Sequence, residues 1–328
     1  MRNMLPFQKQ PKIFAAFKAG YGTVSRHLYL LLFPAILDLF LLFSPRVTIT
    51  ELMQSIINRF TLPSSATPEL VSSWDMVKMQ MVEFFRYFSL SSFLRSYPVG
   101  VPSLFSAVAF ERNPIGEYQF FQLQPIASIL AVVAIMTLIG LIFAYLQYHV
   151  TAKAASTKAI PVEISFTPRM IGSWLLIPLI SFFFVMLVIF PATLLISLIG
   201  ALMPFFTSVG FFFLSIGILT LVLPVVFTPH LVILEKLPFA QALAASYRTI
   251  RLTNAKTSTF FFISVAFSYL TNMLWRIPAD DSWMLLVGVI GHALISTIIL
   301  TASFHFCLDA RKSVLEFTDN QMPETNLA

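Results

Sequence analysis

An all-α, polytopic membrane protein with six transmembrane helices and additional interfacial amphipathic helices is the fold class this sequence predicts. Three observations predict it. First, 57% of the 328 residues are apolar and only 11% are charged, with 35 phenylalanines. A water-soluble fold of this length has too few polar residues here to cover its surface. Second, long apolar runs recur along the chain, and a spanning helix needs roughly 20 such residues to cross about 30 Å of hydrocarbon. Third, lysine and arginine collect in alternate connections between those runs, which is the signature of orientation in a bilayer.

The runs are 27–44, 126–150, 171–199, 205–234, 257–275 and 283–308. The first follows a basic stretch, as a secretory signal would. It ends in Ser44-Pro45-Arg46, which is not a small-x-small cleavage site, so it reads as a retained helix. The third and fourth exceed a straight crossing and must tilt, kink or project. Pro178, Pro191 and Pro224 are the expected kinks, and Gly200 with Pro204 the turn between these two runs.

Charge sets the expected orientation. Residues 1–26 carry Arg2, Lys9, Lys12, Lys18 and Arg26, and the 151–170 connection carries Lys153, Lys158 and Arg169. Residues 235–256 add Lys236, Arg248, Arg251 and Lys256, and the tail 309–328 adds Arg311 and Lys312. The opposite short connection has Arg276 beside Asp280 and Asp281. Both termini are therefore expected in the cytoplasm, in the cell inner membrane. The net charge of +6 is explained by that asymmetry, and no nucleic-acid partner is expected. The lone Cys307 excludes an intrachain disulfide.

Segment 45–125 is the one large extramembrane region and is expected to face outward. Val47–Phe60 and Glu69–Leu90 space their apolar residues as amphipathic helices do, while Asp75, Lys78 and Arg86 interrupt any spanning run. Tyr97–Ser103, with Pro98 and Pro102, reads as extended. Two further interfacial helices are expected at Lys12–Val24 and Pro238–Leu252. In the second, Phe239, Leu243, Tyr247 and Ile250 form the apolar face.

The candidate site residues are polar groups at membrane depth. Asp38 lies about ten residues, or ~15 Å, from the inner end of the first run. An acid at that depth faces a protein interior or a water-filled cavity. It is a proton or cation site, or a structural acid bonded to a neighbouring helix. His292 lies about nine residues, or ~14 Å, from the outer end of the last run, so both fall near the midplane. Gly288 and Gly291 beside it permit close approach of another helix. An Asp38–His292 pair would suit a ligand or proton pocket; otherwise His292 simply bonds a backbone carbonyl.

His27, His149, His230 and His305 all fall at expected cytoplasmic helix ends, but none has the i, i+4 spacing of a helical metal motif. No metal and no cofactor are expected, and His305 is expected to pair with Asp309. Arg248, Arg251 and Lys256 suggest contact with a protein partner or anionic lipid, or simply orient the chain. No phosphate loop, HExxH or GxSxG motif occurs. An enzyme is therefore the least supported class.

The stretch Thr228-Pro229-His230 through Glu235, followed by Ala242–Arg248, resembles a signature of uncharacterised bacterial six-helix membrane proteins. That group is loosely similar to the membrane domain of glycerophosphodiester phosphodiesterases. Leu32–Asp38 and Pro98–Leu104 resemble patterns in the same group. The resemblance implies fold and topology, and no phosphodiesterase chemistry. Two functional classes remain. One binds or transports a small or lipidic ligand through a polar pocket between helices. The other is a non-catalytic scaffold whose partner meets helix 238–252 or segment 45–125.

Overall fold

The computed structural model describes residues 10–61, 67–106, 112–156 and 166–319. Arg2, Lys9, Lys158 and the tail beyond residue 319 lie outside the described residues. The described chain is built almost wholly of helices. Five are long and apolar enough to cross a membrane: Ile126–Ala155, Pro168–Gly200, Phe205–Val222, Phe239–Trp275 and Leu285–Glu316. A sixth crossing exists if the pair Ile13–Arg26 and Leu28–Phe43, bent by 98°, counts as one broken span.

That bend falls between the interfacial helix expected at Lys12–Val24 and the run expected over 27–44. Helix α1 (Ile13–Arg26) stops at His27, whose backbone leaves the helical region, and a 3-10 turn at Leu28–Leu31 leads into α2 (Leu32–Phe43). Pro34 lies in the first turn of α2, where its missing N–H costs no helical bond. The 12 residues of α2 give a rise of roughly 18 Å.

Two of the three expected prolines, Pro191 and Pro224, fall at breaks, whereas Pro178 lies inside an uninterrupted helix. Helix α6 (Pro168–Phe184) opens into a π turn at Val185–Ile189 before α7 (Phe190–Leu202). Pro191 has no N–H for the carbonyl four residues back, and its ring crowds that carbonyl, so the helix widens there. The expected single run 205–234 is split. Helix α8 (Pro204–Val222) ends in a 3-10 turn at Leu223–Val225, and α9 (Thr228–Leu234) begins anew with Pro229 in its first turn.

The chain divides into two compact units. One holds the residues up to Leu30, Tyr145–Ser268 and those from Thr297. Its core is aromatic. Phe17, Phe260 and Phe306 stack in series, at 5.1 Å and 4.5 Å between ring centroids. Tyr148, Trp174, His230 and Phe304 form a second cluster. Gly20 sits so close to α11 (Leu285–Asp319) that a Cβ would lie 2.8 Å from the Ala302 nitrogen. Helix α10 (Phe239–Trp275) includes a kink at Thr253, with φ −116° and ψ 18°, at the expected junction of interfacial and spanning helices.

The other unit holds Leu31–Ala144 and Tyr269–Ser296. Strand β1 (Arg46–Thr48) precedes α3 (Thr50–Arg59) and α4 (Pro68–Tyr87). The apolar face expected on the second of these is not covered, since Val77, Met81 and Phe84 are exposed. Strands β2 (Arg112–Asn113) and β3 (Gly116–Glu117) make a small hairpin. Asn113 Oδ1 accepts the Ile115 and Gly116 amides, and Gly116 takes a positive φ of 140° that favours glycine. Strand β4 (Phe120–Gln122) pairs parallel with β1, Arg46 opposite Phe120. The last part of the unit's core comes from α5 (Ile126–Ala155), α10 and α11. The segment expected to be extended, Tyr97–Ser103, starts as a turn at the surface, and the chain then runs inward: Val99, Val101, Leu104 and Phe105 are buried.

Candidate functional site: a buried acid–histidine pair

Asp38 is fully buried on α2, in the second unit. An unpaired carboxylate in that position is very costly, and the chain answers with the inward-running segment. Asp38 Oδ1 accepts the Ser103 hydroxyl and the Leu104 amide, both at 2.7 Å. Ser103 Oγ in turn accepts the Phe105 and Ser106 amides, which holds the turn in shape. Arg276, just beyond α10, donates to the Leu104 carbonyl and adds an electrostatic attraction to Asp38. Leu104 is thus gripped at both ends of its backbone by side chains of opposite charge. Burial pulls the Arg276 guanidinium below the usual arginine value, against the favourable fields of Asp38 and Tyr97.

The second oxygen of Asp38 looks at His292. Asp38 Oδ2 and His292 Nε2 are 3.7 Å apart, and neither makes a hydrogen bond of ordinary geometry, although the Pro102 carbonyl lies near the His292 ring and the Phe105 amide near the carboxylate. On the other side of the ring, Nδ1 lies 2.9 Å from Asn272 Oδ1. An amide oxygen only accepts, so Nδ1 is the donor. In the neutral ring, Nε2 therefore turns a lone pair toward the carboxylate. At 3.7 Å the two atoms are too far apart for a direct hydrogen bond. They are close enough that a proton on either one changes the field at the other.

The backbone around the pair is held by glycines. Gly288 and Gly291 face Trp275, and a Cβ on Gly291 would meet its ring at 2.6 Å. The packing gives these glycines the role expected of them, close helix approach. Gly140 does the same for the inward-running segment, where a Cβ would fall 2.2 Å from the Leu94 carbonyl oxygen. Ser96 Oγ donates to the Thr137 carbonyl beside it.

The structure therefore brings Asp38 and His292 together. Sequence reasoning missed three partners: Ser103, Asn272 and Arg276. Asn272 carried a usable signal, being an amide inside the apolar run 257–275. Ser103 did not, because its role depends on residues 97–106 turning inward.

The remaining candidates lie elsewhere. Arg248, Arg251 and Lys256 are exposed on α10. The face of that helix packed inward is Ala242, Ala245, Ser246, Thr249, Ile250 and Thr253, whereas Tyr247 is exposed. Small residues won the buried side because they let helices approach closely. The histidines of the first unit are individually engaged. His149 Nδ1 meets the Tyr145 carbonyl, His230 Nε2 meets Ser303 Oγ, and His305 Nε2 meets Thr23 Oγ1. His305 thus takes a threonine, and Asp309 accepts the Lys12 amide. Among the described residues no three metal-ligating side chains converge.

Fold and site together define a class: a multi-pass, all-α membrane protein with a buried acid–histidine pair. No protein-family model, curated protein or solved structure matches the chain.

Proposed function

We propose that this protein binds or transports a small or lipidic ligand, coupled to one proton held between Asp38 and His292. The observation that carries the reading is the 3.7 Å approach of Asp38 Oδ2 to His292 Nε2, neither of which makes a hydrogen bond of ordinary geometry. With Nδ1 committed to Asn272, the ring and the carboxylate have room for a single proton between them. Intramembrane acids and histidines with that freedom mark proton and substrate routes. In this reading six spans cross the inner membrane, the broken pair Ile13–Phe43 being the first, with both termini cytoplasmic. The resemblance to six-helix bacterial membrane proteins supplies the same topology.

The test is proton movement in liposomes containing the purified protein, with pyranine in the lumen and a potassium–valinomycin potential applied. The wild type should move protons, and Asp38→Asn and His292→Gln should not. Equal traces from all three would remove the proposal.

A second reading is a non-catalytic scaffold. Helix α4 leaves Met76, Met79 and Phe84 exposed, and Arg248, Arg251 and Lys256 point away from the core of α10. Crosslinking in the native membrane should then capture one stable partner through α4 or through 238–252. The resulting adduct would be absent under the first reading.

A further inference from the structure

We propose that Arg46 and Thr48 form a second site, which takes a phosphate oxyanion presented by a phospholipid headgroup. The site shares no residue with the Asp38–His292 pair, so either reading can fail alone.

Arg46 is only 2% exposed, yet its Nε and Nη2 have no hydrogen-bond partner. None of the ion pairs among the described residues includes it. Its guanidinium lies over the Tyr118 ring, 4.2 Å from the centroid, and Tyr118 is fixed in turn by donating to the Leu42 carbonyl at 2.7 Å. Contact with Tyr118, a side-chain hydrogen bond included, orients the plane but leaves Nε and Nη2 unused. A buried guanidinium with unused donors is strongly disfavoured unless an acceptor joins it.

Strand geometry supplies the second group. Residues 46 and 48 are two apart on β1, so both side chains leave the same face. Thr48 is completely buried, and its Oγ1 is likewise without a partner. The strand itself is locked. The Arg46 amide donates to the Gln119 carbonyl, the Val47 amide to Ser89 Oγ, and the Thr48 carbonyl accepts from Leu123. One strand face therefore offers the Nε/Nη2 edge of a guanidinium and a hydroxyl from a fixed backbone.

The chemistry of that edge selects the ligand. Nε and Nη2 point in parallel and match two oxygens of one phosphate or carboxylate. The surroundings favour a lipid as its carrier. Arg46 comes three residues after the end of the apolar helix α2, at the level where headgroups begin. Phe40 on α2 and Phe120 and Phe121 on β4 are exposed nearby in the chain and in the ladder, and offer apolar contact for acyl chains. Asp280 is the acid whose field reaches the Tyr118 ring, and a bound phosphate must outcompete it.

The experiment uses the full-length protein, purified and stripped of lipid in neutral detergent. Its thermal unfolding is followed while dihexanoyl phosphatidylglycerol, inorganic phosphate or dihexanoylglycerol is added. The phospholipid should raise the melting temperature saturably, and dihexanoylglycerol should not. Arg46→Lys keeps the charge but loses the fork, and should weaken binding about tenfold. Thr48→Val should weaken it less, and Arg46→Met should abolish it. An equal, Arg46-dependent response to inorganic phosphate would support the same oxyanion chemistry with a free anion as its source. An equal response to dihexanoylglycerol, or one retained in Arg46→Met, would overturn the proposal. If Arg46→Met does not fold, unchanged affinity in both Arg46→Lys and Thr48→Val overturns it instead.

Discussion

Asp38 holds the backbone amide of Leu104 at 2.7 Å, while Arg276 holds the carbonyl of the same residue. The two side chains come from distant parts of the sequence, and between them they fasten residues 97–106 inside the helical unit. The acid expected to line a pocket thus also acts as a clasp. Its second oxygen, the one toward His292, is the one the proposed proton function would use.

Cutting the clasp should release the segment. Asp38→Ala leaves the Ser103 hydroxyl and the Leu104 amide without their acceptor, which costs about 2–4 kcal/mol. Asp38→Asn retains an acceptor oxygen and should cost less than half of that. Thermal melts of the two variants give the order. Maleimide labelling of Ser106→Cys should accelerate in the alanine background, and an unchanged rate there would argue against a clasp.

Gly291 and Trp275 should show strong coupling. Gly291→Ala drives a methyl to 2.6 Å from the indole. The overpacking is worth about 1–3 kcal/mol. Replacing Trp275 by a smaller aromatic such as phenylalanine should recover part of that loss in the double variant. A double-mutant cycle measures it, and additive losses would mean that the ring is not the obstacle.

Alkaline pH should expose the state of Tyr118. Burial raises its phenol above the ordinary value, against the lowering effect of Arg46. The unfolded chain ionises this tyrosine near pH ~10. The folded chain does so only higher. Stability from the neutral phenol is therefore complete below the unfolded value and is lost as pH rises through the folded one. Melts from neutral pH to pH ~11 should show a steeper alkaline loss in wild type than in Tyr118→Phe. The phenylalanine variant should start about 1 kcal/mol lower, for want of the bond to Leu42.

The pair Arg311–Glu235 should matter modestly. It is bidentate, at 2.7 Å and 3.1 Å, and both side chains are partly shielded. Glu235→Gln should cost about 1 kcal/mol, and less at high salt. Melting at two ionic strengths separates the ionic part from the packing part.

Several features are legible in the amino-acid sequence alone. The similar depth of Asp38 and His292 follows from counting residues to each helix end, because helical rise converts sequence position into depth, but that their helices are neighbours does not. The Gly288–Gly291 contact and the proline breaks near 191 and 224 follow from backbone chemistry. The junction near residue 252 appears as the Thr253 kink, where one helical stretch ends and the next begins, with Thr253 Oγ1 bonding the Thr249 carbonyl and Thr257 Oγ1 across it. The buried face of 239–252 is not legible in the same way. Bulk points to Phe239, Leu243, Tyr247 and Ile250 as its core; of these Ile250 is buried, alongside Ala242, Ala245 and Ser246, while Tyr247 is exposed.

By itself the sequence determined the class: an all-helical chain with spans long enough for hydrocarbon, ordered by prolines and flanked by alternating charge. These follow from local composition and from the rise of a helix, which need no knowledge of neighbours. Only the tertiary structure decided which groups meet Asp38 and Arg46, and that residues 97–106 turn inward. Such pairings depend on how distant segments share a limited interior, where each buried charge selects whichever donor or acceptor the packing brings within about 3 Å.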